Sequence, residues 1–72
     1  MACFSDRLVE LRKLKGETQI SMATFLGCTE QHYQRLEYGK VKLNHIYLVK
    51  LADFFDVSAD YLLGRSDNSQ RQ

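Results

Sequence analysis

Long apolar runs, a disulfide framework and an excess of charge of either sign are all missing from this 72-residue sequence. No stretch approaches the roughly 18 consecutive apolar residues that a membrane-spanning helix needs. The first six residues lack the basic region and apolar core of a signal peptide, so we expect none. Two cysteines, Cys3 and Cys28, are too few for a disulfide framework. We therefore expect reduced thiols and a cytoplasmic protein.

The length allows one domain, and a chain this short buries only about 60% of the surface that its unfolded form exposes. With 44% hydrophobic and 26% charged residues, its composition is that of a folded domain. Ten Lys and Arg side chains against nine Asp and Glu leave a net charge of +1. A large enzyme with a deep pocket is nearly excluded, and a small binding module remains.

Proline is absent throughout, and the apolar residues recur at helical spacing. We predict a first helix capped by Ser5 or Asp6 and running to about residue 15, then helices at about 19–26, 30–38, 45–56 and 59–63. The expected N-caps of the last four are Thr18, Thr29, Asn44 and Ser58. No strand pattern competes, so the predicted class is a compact all-α domain of five short helices. It covers residues 1–65, and residues 66–72, which include no apolar side chain, are expected to form a flexible tail.

The segment from Gln19 to Glu37 predicts two short helices joined by a sharp turn. Ala23 is small where the helices would cross, and Gly27 can adopt the positive φ that such a turn requires. The second helix would then protrude from the surface, and the major groove of DNA, about 12 Å wide, admits one such helix. A plain helical hairpin in a small bundle fits the same pattern, so this geometry leaves both interpretations open.

A longer set of positions carries a resemblance over residues 4–64. These are Arg7-Leu8-x-x-Leu11-Arg12-x-x-Lys15-Gly16, Thr18-Gln19-x-x-x-Ala23-x-x-Leu26-Gly27, Leu36-Glu37-x-Gly39, and Leu48-x-x-Leu51-Ala52-Asp53-Phe54-Phe55-x-Val57-Ser58-x-Asp60-Tyr61-Leu62-Leu63-Gly64. The pattern resembles the phage repressor and Cro-like helix-turn-helix regulators, also called XRE-like. The resemblance implies a lambda-repressor-like domain that binds double-stranded DNA and regulates transcription, a repressor by analogy, with no catalytic role, cofactor or metal.

The resemblance also implies roles for single residues. The third helix becomes the recognition helix, at about 29–38, and the residues expected to contact bases are Glu30, Gln31, His32, Gln34 and Arg35. The residues expected to contact phosphates are Thr18, Gln19, Lys40 and Lys42. Arg12 and Glu37 would form a structural ion pair between the first and third helices. Tyr33 stands where an aliphatic residue is usual, and its hydroxyl needs water or a partner.

A palindromic operator bound by a homodimer follows from the same analogy, because one recognition helix contacts few base pairs. The last helix would supply the dimer interface, with Ala59 and Leu62 as candidates. Phage repressors, restriction-modification controllers and antitoxins all fit this reading.

Two alternatives remain at this point. An antitoxin-like or adaptor module could use Ile20, Phe25 or the last helix against another protein. A metal or redox sensor could use Cys28 and His32, with Cys3 and His45, but no CxxC or HExxH spacing supports it.

Overall fold

Five helices follow one another in the computed structural model, which describes residues 3–70. They are α1 (Phe4–Lys15), α2 (Gln19–Leu26), α3 (Glu30–Glu37), α4 (His45–Phe55) and α5 (Ala59–Leu62). No strand occurs among these residues. The prediction of an all-α domain with five helices is confirmed. None of the helices in the described part is long and apolar enough to cross a membrane.

The N-caps predicted for the last four helices are all present as hydrogen bonds. In each case the side-chain oxygen accepts from the backbone N–H three residues later, at 2.8–3.1 Å, for Thr18, Thr29, Asn44 and Ser58. Each such bond satisfies one N–H that has no partner within its own helix. The N-cap bonds explain why these four helices begin where predicted. At their other ends, α3, α4 and α5 each stop one residue before the predicted end.

The start of α1 differs from the prediction of Ser5 or Asp6 as its cap. The helix begins at Phe4, with Cys3 as an N-cap that makes no side-chain cap bond. Phe4 packs against the core, and the Arg7 amide donates to the Cys3 carbonyl at 3.1 Å. Burial of Phe4 therefore sets this helix end, in place of a polar cap.

The turn between α2 and α3 forms at Gly27, which has a φ of +75°. Its amide and that of Cys28 donate back to the carbonyls of Thr24 and Ala23, closing the last turn of α2. An L side chain is strained in this left-handed region, so glycine suits the position.

The core gathers side chains from all five helices. The fully buried ones include Leu8, Met22, Tyr33, Leu36, Leu51 and Leu62. Leu62 corrects an expectation, because a side chain with 0% exposure has no surface to offer a second subunit in this fold. Ala59, the other candidate for a dimer interface, is exposed.

The segment after α5 also differs from the free tail expected for residues 66–72. The guanidinium of Arg7 donates to the Ser66 carbonyl at 2.9 Å and to Oδ1 of Asp67 at 2.9 Å. The Ser58 amide donates to the Ser69 carbonyl at 3.0 Å. Residues 66–69 are therefore hydrogen-bonded to the domain, and residues 71 and 72 of the expected tail lie outside the described residues.

Candidate nucleic-acid interface

The two faces of α3 differ sharply in exposure. Tyr33, Leu36 and Glu37 are buried against the rest of the domain. Glu30, Gln31 and Arg35 are exposed, and their side chains make no hydrogen bond or ion pair within residues 3–70. The helix is thus fixed by one face and presents polar groups without partners on the other.

His32 and Gln34, also expected among the base-contacting residues, are only half exposed. The ring of His32 lies edge-on to Tyr47 of α4, with 5.9 Å between the ring centroids. The amide nitrogen of Gln34 donates to Oε1 of Gln19 at 3.2 Å. Both side chains therefore already have partners inside the domain.

Thr18, Lys40 and Lys42, three of the residues expected at phosphates, are exposed. The hydroxyl of Thr18 accepts the cap bond from Ser21, so a further contact would have to use its own O–H. Lys40 and Lys42 follow α3 directly, and their ammonium groups have no ion-pair partner among residues 3–70. The short segment that follows α3 therefore carries two exposed positive charges.

Arg12 and Glu37 lie together at the junction of α1 and α3. Nε of Arg12 donates to Oε2 of Glu37 at 2.6 Å, and a second guanidinium nitrogen reaches Oε1 at 3.3 Å. The Glu37 side chain is 2% exposed and that of Arg12 is 13% exposed. The remaining guanidinium nitrogen of Arg12 donates to the carbonyl of Glu17. The pair is buried and nearly saturated with hydrogen bonds.

The electrostatics of this pair keep both groups charged. Burial acts to raise the pKa of Glu37, but interactions with neighbouring donors, above all the hydrogen bond from Arg12, outweigh it and lower that pKa. The same hydrogen bond, which Arg12 donates to Glu37, raises the pKa of Arg12. Burial, with the Glu37 carboxylate nearby, also raises the pKa of Tyr33. The Tyr33 hydroxyl is buried and has no hydrogen bond of normal geometry in the described part of the chain.

Gln19, the first residue of α2, joins this cluster. Its amide nitrogen donates to Oε1 of Glu37 at 3.0 Å, while its Oε1 accepts from Gln34. The sequence does not indicate the Gln19–Gln34 contact, because the two residues belong to different helices and their types alone suggest no pairing.

Two of the other basic residues of α1, Arg7 and Lys15, also bond to groups inside the domain. Arg7 is 7% exposed, donates to the carbonyls of Tyr61 and Ser66, and lies 3.8 Å from the centroid of the Tyr61 ring. Nζ of Lys15 donates to the Phe54 carbonyl at 2.8 Å. A sequence signal for Arg7 did exist, since it comes three residues after Phe4 and so borders the apolar stripe of α1.

Within residues 3–70, no group of three or more His, Cys, Asp or Glu side chains is placed to hold a metal ion.

A short helix, a glycine turn and a second helix with one exposed polar face define a helix-turn-helix domain. The helix-turn-helix family model matches residues 8–62. The chain therefore belongs to the helix-turn-helix family, in its XRE-type branch.

The relatives agree with this membership. The chain is similar to the SPbeta prophage-derived HTH-type transcriptional regulator YonR of Bacillus subtilis, with 43% identity over 60 residues, which are 83% of this chain and 56% of that protein. It spans little more than half the length of the curated relatives that it matches first. These relatives are named as transcriptional regulators and not as enzymes.

Two solved structures share the fold. The restriction-modification controller protein C.AhdI of Aeromonas hydrophila matches with a TM-score of 0.72 and 30% identity, over 82% of this chain and 89% of that one. The P22 c2 repressor, solved in complex with a synthetic operator, matches with a TM-score of 0.81 over 92% of this chain and 100% of that one. Its identity is 21%, so this second likeness concerns the fold alone.

Proposed function

We propose that this domain binds double-stranded DNA with α3 in the major groove and thereby regulates transcription. The observation that carries the proposal is the exposed face of α3, where Glu30, Gln31 and Arg35 have no partner while Tyr33 and Leu36 anchor the opposite face. Arg35 has the geometry to bond guanine O6 and N7, Gln31 to pair with adenine, and Glu30 to accept from cytosine N4. Family membership and the regulator names of the relatives support the same function.

The phosphate contacts are assigned to the rim of this face. Lys40 and Lys42 would supply charge to the sugar-phosphate backbone, which positions a protein without reading sequence. Gln19 and Thr18 would contribute from the N-terminal end of α2, where the helix dipole favours anions.

A homodimer on a palindromic operator completes the proposal. Two-fold pairing would place two copies of α3 about 34 Å apart, one turn of DNA. Ala59 remains a candidate for the interface together with the partly exposed Phe54 and Tyr47, whereas the buried Leu62 is withdrawn from it.

Selection of bound sites from a random double-stranded DNA pool tests the proposal. We expect a palindromic motif whose half-site centres are about one turn apart, with an affinity that falls steeply with salt. No enriched motif, with weak binding that added salt abolishes, would contradict sequence-specific binding by this chain.

Replacement of Arg35 tests the recognition helix directly. Arg35→Ala should weaken binding to the selected site by about 1–3 kcal/mol and relax the preference at one base position, because a bidentate contact to guanine is lost. The matched control is Arg65→Ala, which removes an exposed arginine outside the α2–α3 unit and should leave the preference unchanged. If Arg35→Ala binds like the unmodified protein, Arg35 does not read a base.

A protein-interaction module is the second candidate, favoured by apolar side chains on the surface. Leu14 is 77% exposed, Ile20 60% and Phe25 40%. Phe25 lies against Phe54 with 4.7 Å between the ring centroids, so part of its apolar area is already covered. Binding to a protein partner through these residues would depend weakly on salt, whereas DNA binding releases counterions and depends on it strongly.

A further inference from the structure

Gln34 differs from the other polar residues of α3 because its side chain ends a hydrogen-bonded series. Its amide nitrogen donates to Gln19 at 3.2 Å, the Gln19 nitrogen donates to Glu37 at 3.0 Å, and Glu37 is held by Arg12 at 2.6 Å. Gln31, one turn earlier on the same helix, is exposed and bonds to nothing within residues 3–70. Two glutamines of α3 therefore occupy different chemical situations.

The direction of the series is fixed by the charge at its inner end. A carboxylate only accepts hydrogen bonds, so Gln19 must turn its NH₂ group toward Glu37. The Oε1 of Gln19 then faces away from Glu37 and accepts, so Gln34 in turn must present its own NH₂ group. Rotating either amide by 180° would set two acceptors against each other.

This arrangement leaves Gln19 with one N–H that is not committed. An uncommitted N–H is what a phosphate oxygen requires, since phosphate also only accepts. The Gln19 amide is held at its nitrogen by Glu37 and at its oxygen by Gln34, so the direction of the remaining N–H is set before any ligand arrives. Pre-organisation of this kind lowers the ordering cost of binding.

We infer that Gln34 is a positioning residue, which orients the Gln19 amide for a contact with a DNA phosphate, and is not an independent reader of a base. The inference rests on the proposed DNA binding and narrows the set of base-contacting residues on α3. It also links the start of α2 to the middle of α3, so that backbone contact and recognition helix are placed together.

The first test compares Gln34→Ala with the matched control Gln31→Ala on the selected site and on its single-base variants. One net hydrogen bond corresponds to an affinity change of about 2–10-fold. Gln34→Ala should weaken all these sites by the same factor in that range, whereas Gln31→Ala should relax the preference at one position. A base preference that changes at one position in Gln34→Ala would overturn the inference.

The second test is a double-mutant cycle with Gln19→Ala. The double variant Gln19→Ala/Gln34→Ala should bind DNA as Gln19→Ala alone does, because Gln34 acts through Gln19. If the two substitutions instead reduce the DNA affinity by independent factors that multiply, Gln34 does not act through Gln19. Gln34→Met, which keeps the length of the side chain and removes the bond, should match Gln34→Ala and so separates the hydrogen bond from packing.

Chemical modification of the DNA distinguishes positioning of Gln19 by Gln34 from a merely structural role of Gln34. Replacing single phosphates by neutral methylphosphonates should identify one phosphate whose replacement weakens the unmodified protein but not Gln19→Ala. Gln34→Ala should show a reduced effect at that same phosphate, and an undiminished effect there would refute positioning. If the unmodified protein selects no DNA at all, the proposed function fails and this inference with it. If it selects DNA and only the Gln34 results differ, the inference alone fails.

Discussion

Removal of the Glu37 carboxylate should destabilise the domain severely. In Glu37→Ala the Arg12 guanidinium, only 13% exposed, loses the carboxylate to which two of its nitrogens donate. Gln19 loses its acceptor as well, and the Glu17 carbonyl alone remains for Arg12. The variant therefore leaves a buried positive charge without a counterion.

The size of the effect follows from that stranded charge. Breaking a buried ion pair by removing one partner costs about 3–5 kcal/mol. A domain of this length has a free energy of unfolding of about 4–11 kcal/mol, at about 0.05–0.15 kcal/mol per residue. Glu37→Ala should thus lose between about a quarter of the stability and all of it, and its Tm should fall by more than about 10 °C.

Urea unfolding followed by circular dichroism at neutral pH measures this loss. The matched control is Glu30→Ala, which removes an exposed carboxylate from the start of the same helix and should change the free energy of unfolding by less than about 1 kcal/mol. A change of that small size in Glu37→Ala would refute the reasoning. In the double variant Arg12→Met/Glu37→Met no charge is stranded, so we expect most of the stability to return.

The same carboxylate predicts a pH dependence of stability. The pKa of Glu37 in the folded domain is lowered below its ordinary value of 4.5. Its contribution is therefore complete above about pH 4.5 and is lost as the pH falls through the lower, folded pKa. In Glu37→Gln this part of the acid dependence should disappear, and an unchanged acid dependence would contradict it.

Two further outcomes test other parts of the domain. Arg7→Met removes the donor to two backbone carbonyls and should lower the free energy of unfolding by about 1–3 kcal/mol. It should also speed hydrogen exchange of the Ser58 amide, because that amide bonds the segment after α5. Asp67→Ala should leave both unchanged because that carboxylate is fully exposed, and equal effects of the two variants would be inconsistent with this view. Lys40→Ala and Lys42→Ala should each lower the salt slope of DNA binding by about 0.9 without altering base preference, and a lysine whose loss leaves the slope unchanged contacts no phosphate.

The helices of this domain are predictable because their signals are local. An N-cap such as Thr18 and its hydrogen-bonded N–H lie three residues apart, and the apolar stripe of α1 repeats every three to four residues. The start of α1 escaped prediction because no local polar group sets it. There the burial of Phe4, a tertiary effect, extends the helix past Ser5.

Residue roles that depend on distant partners could be predicted only through the resemblance, or not at all. Arg12 and Glu37 are 25 residues apart, and the family pattern implied their contact. Nothing in that pattern indicated that Gln34 bonds Gln19, or that the segment after α5 returns to Arg7. The assignment of Leu62 to a dimer interface fails for a related reason, since the sequence of a four-residue helix does not indicate which side faces the core.

The distribution of cations also explains how a chain of net charge +1 suits the proposed function. Of the basic side chains of α1, Arg7, Arg12 and Lys15 all bond to groups inside the domain. If only Lys40 and Lys42 neutralise phosphates, the salt slope is about −1.8 per subunit, which corresponds to roughly a twelvefold loss of affinity between 50 and 200 mM salt.

So few phosphate contacts give a single copy of the domain weak, largely non-specific attraction to DNA. Specific binding must then come from base contacts on α3, and a second copy on the same DNA doubles both terms. The charge distribution thus favours the palindromic site of a dimer over binding by one subunit.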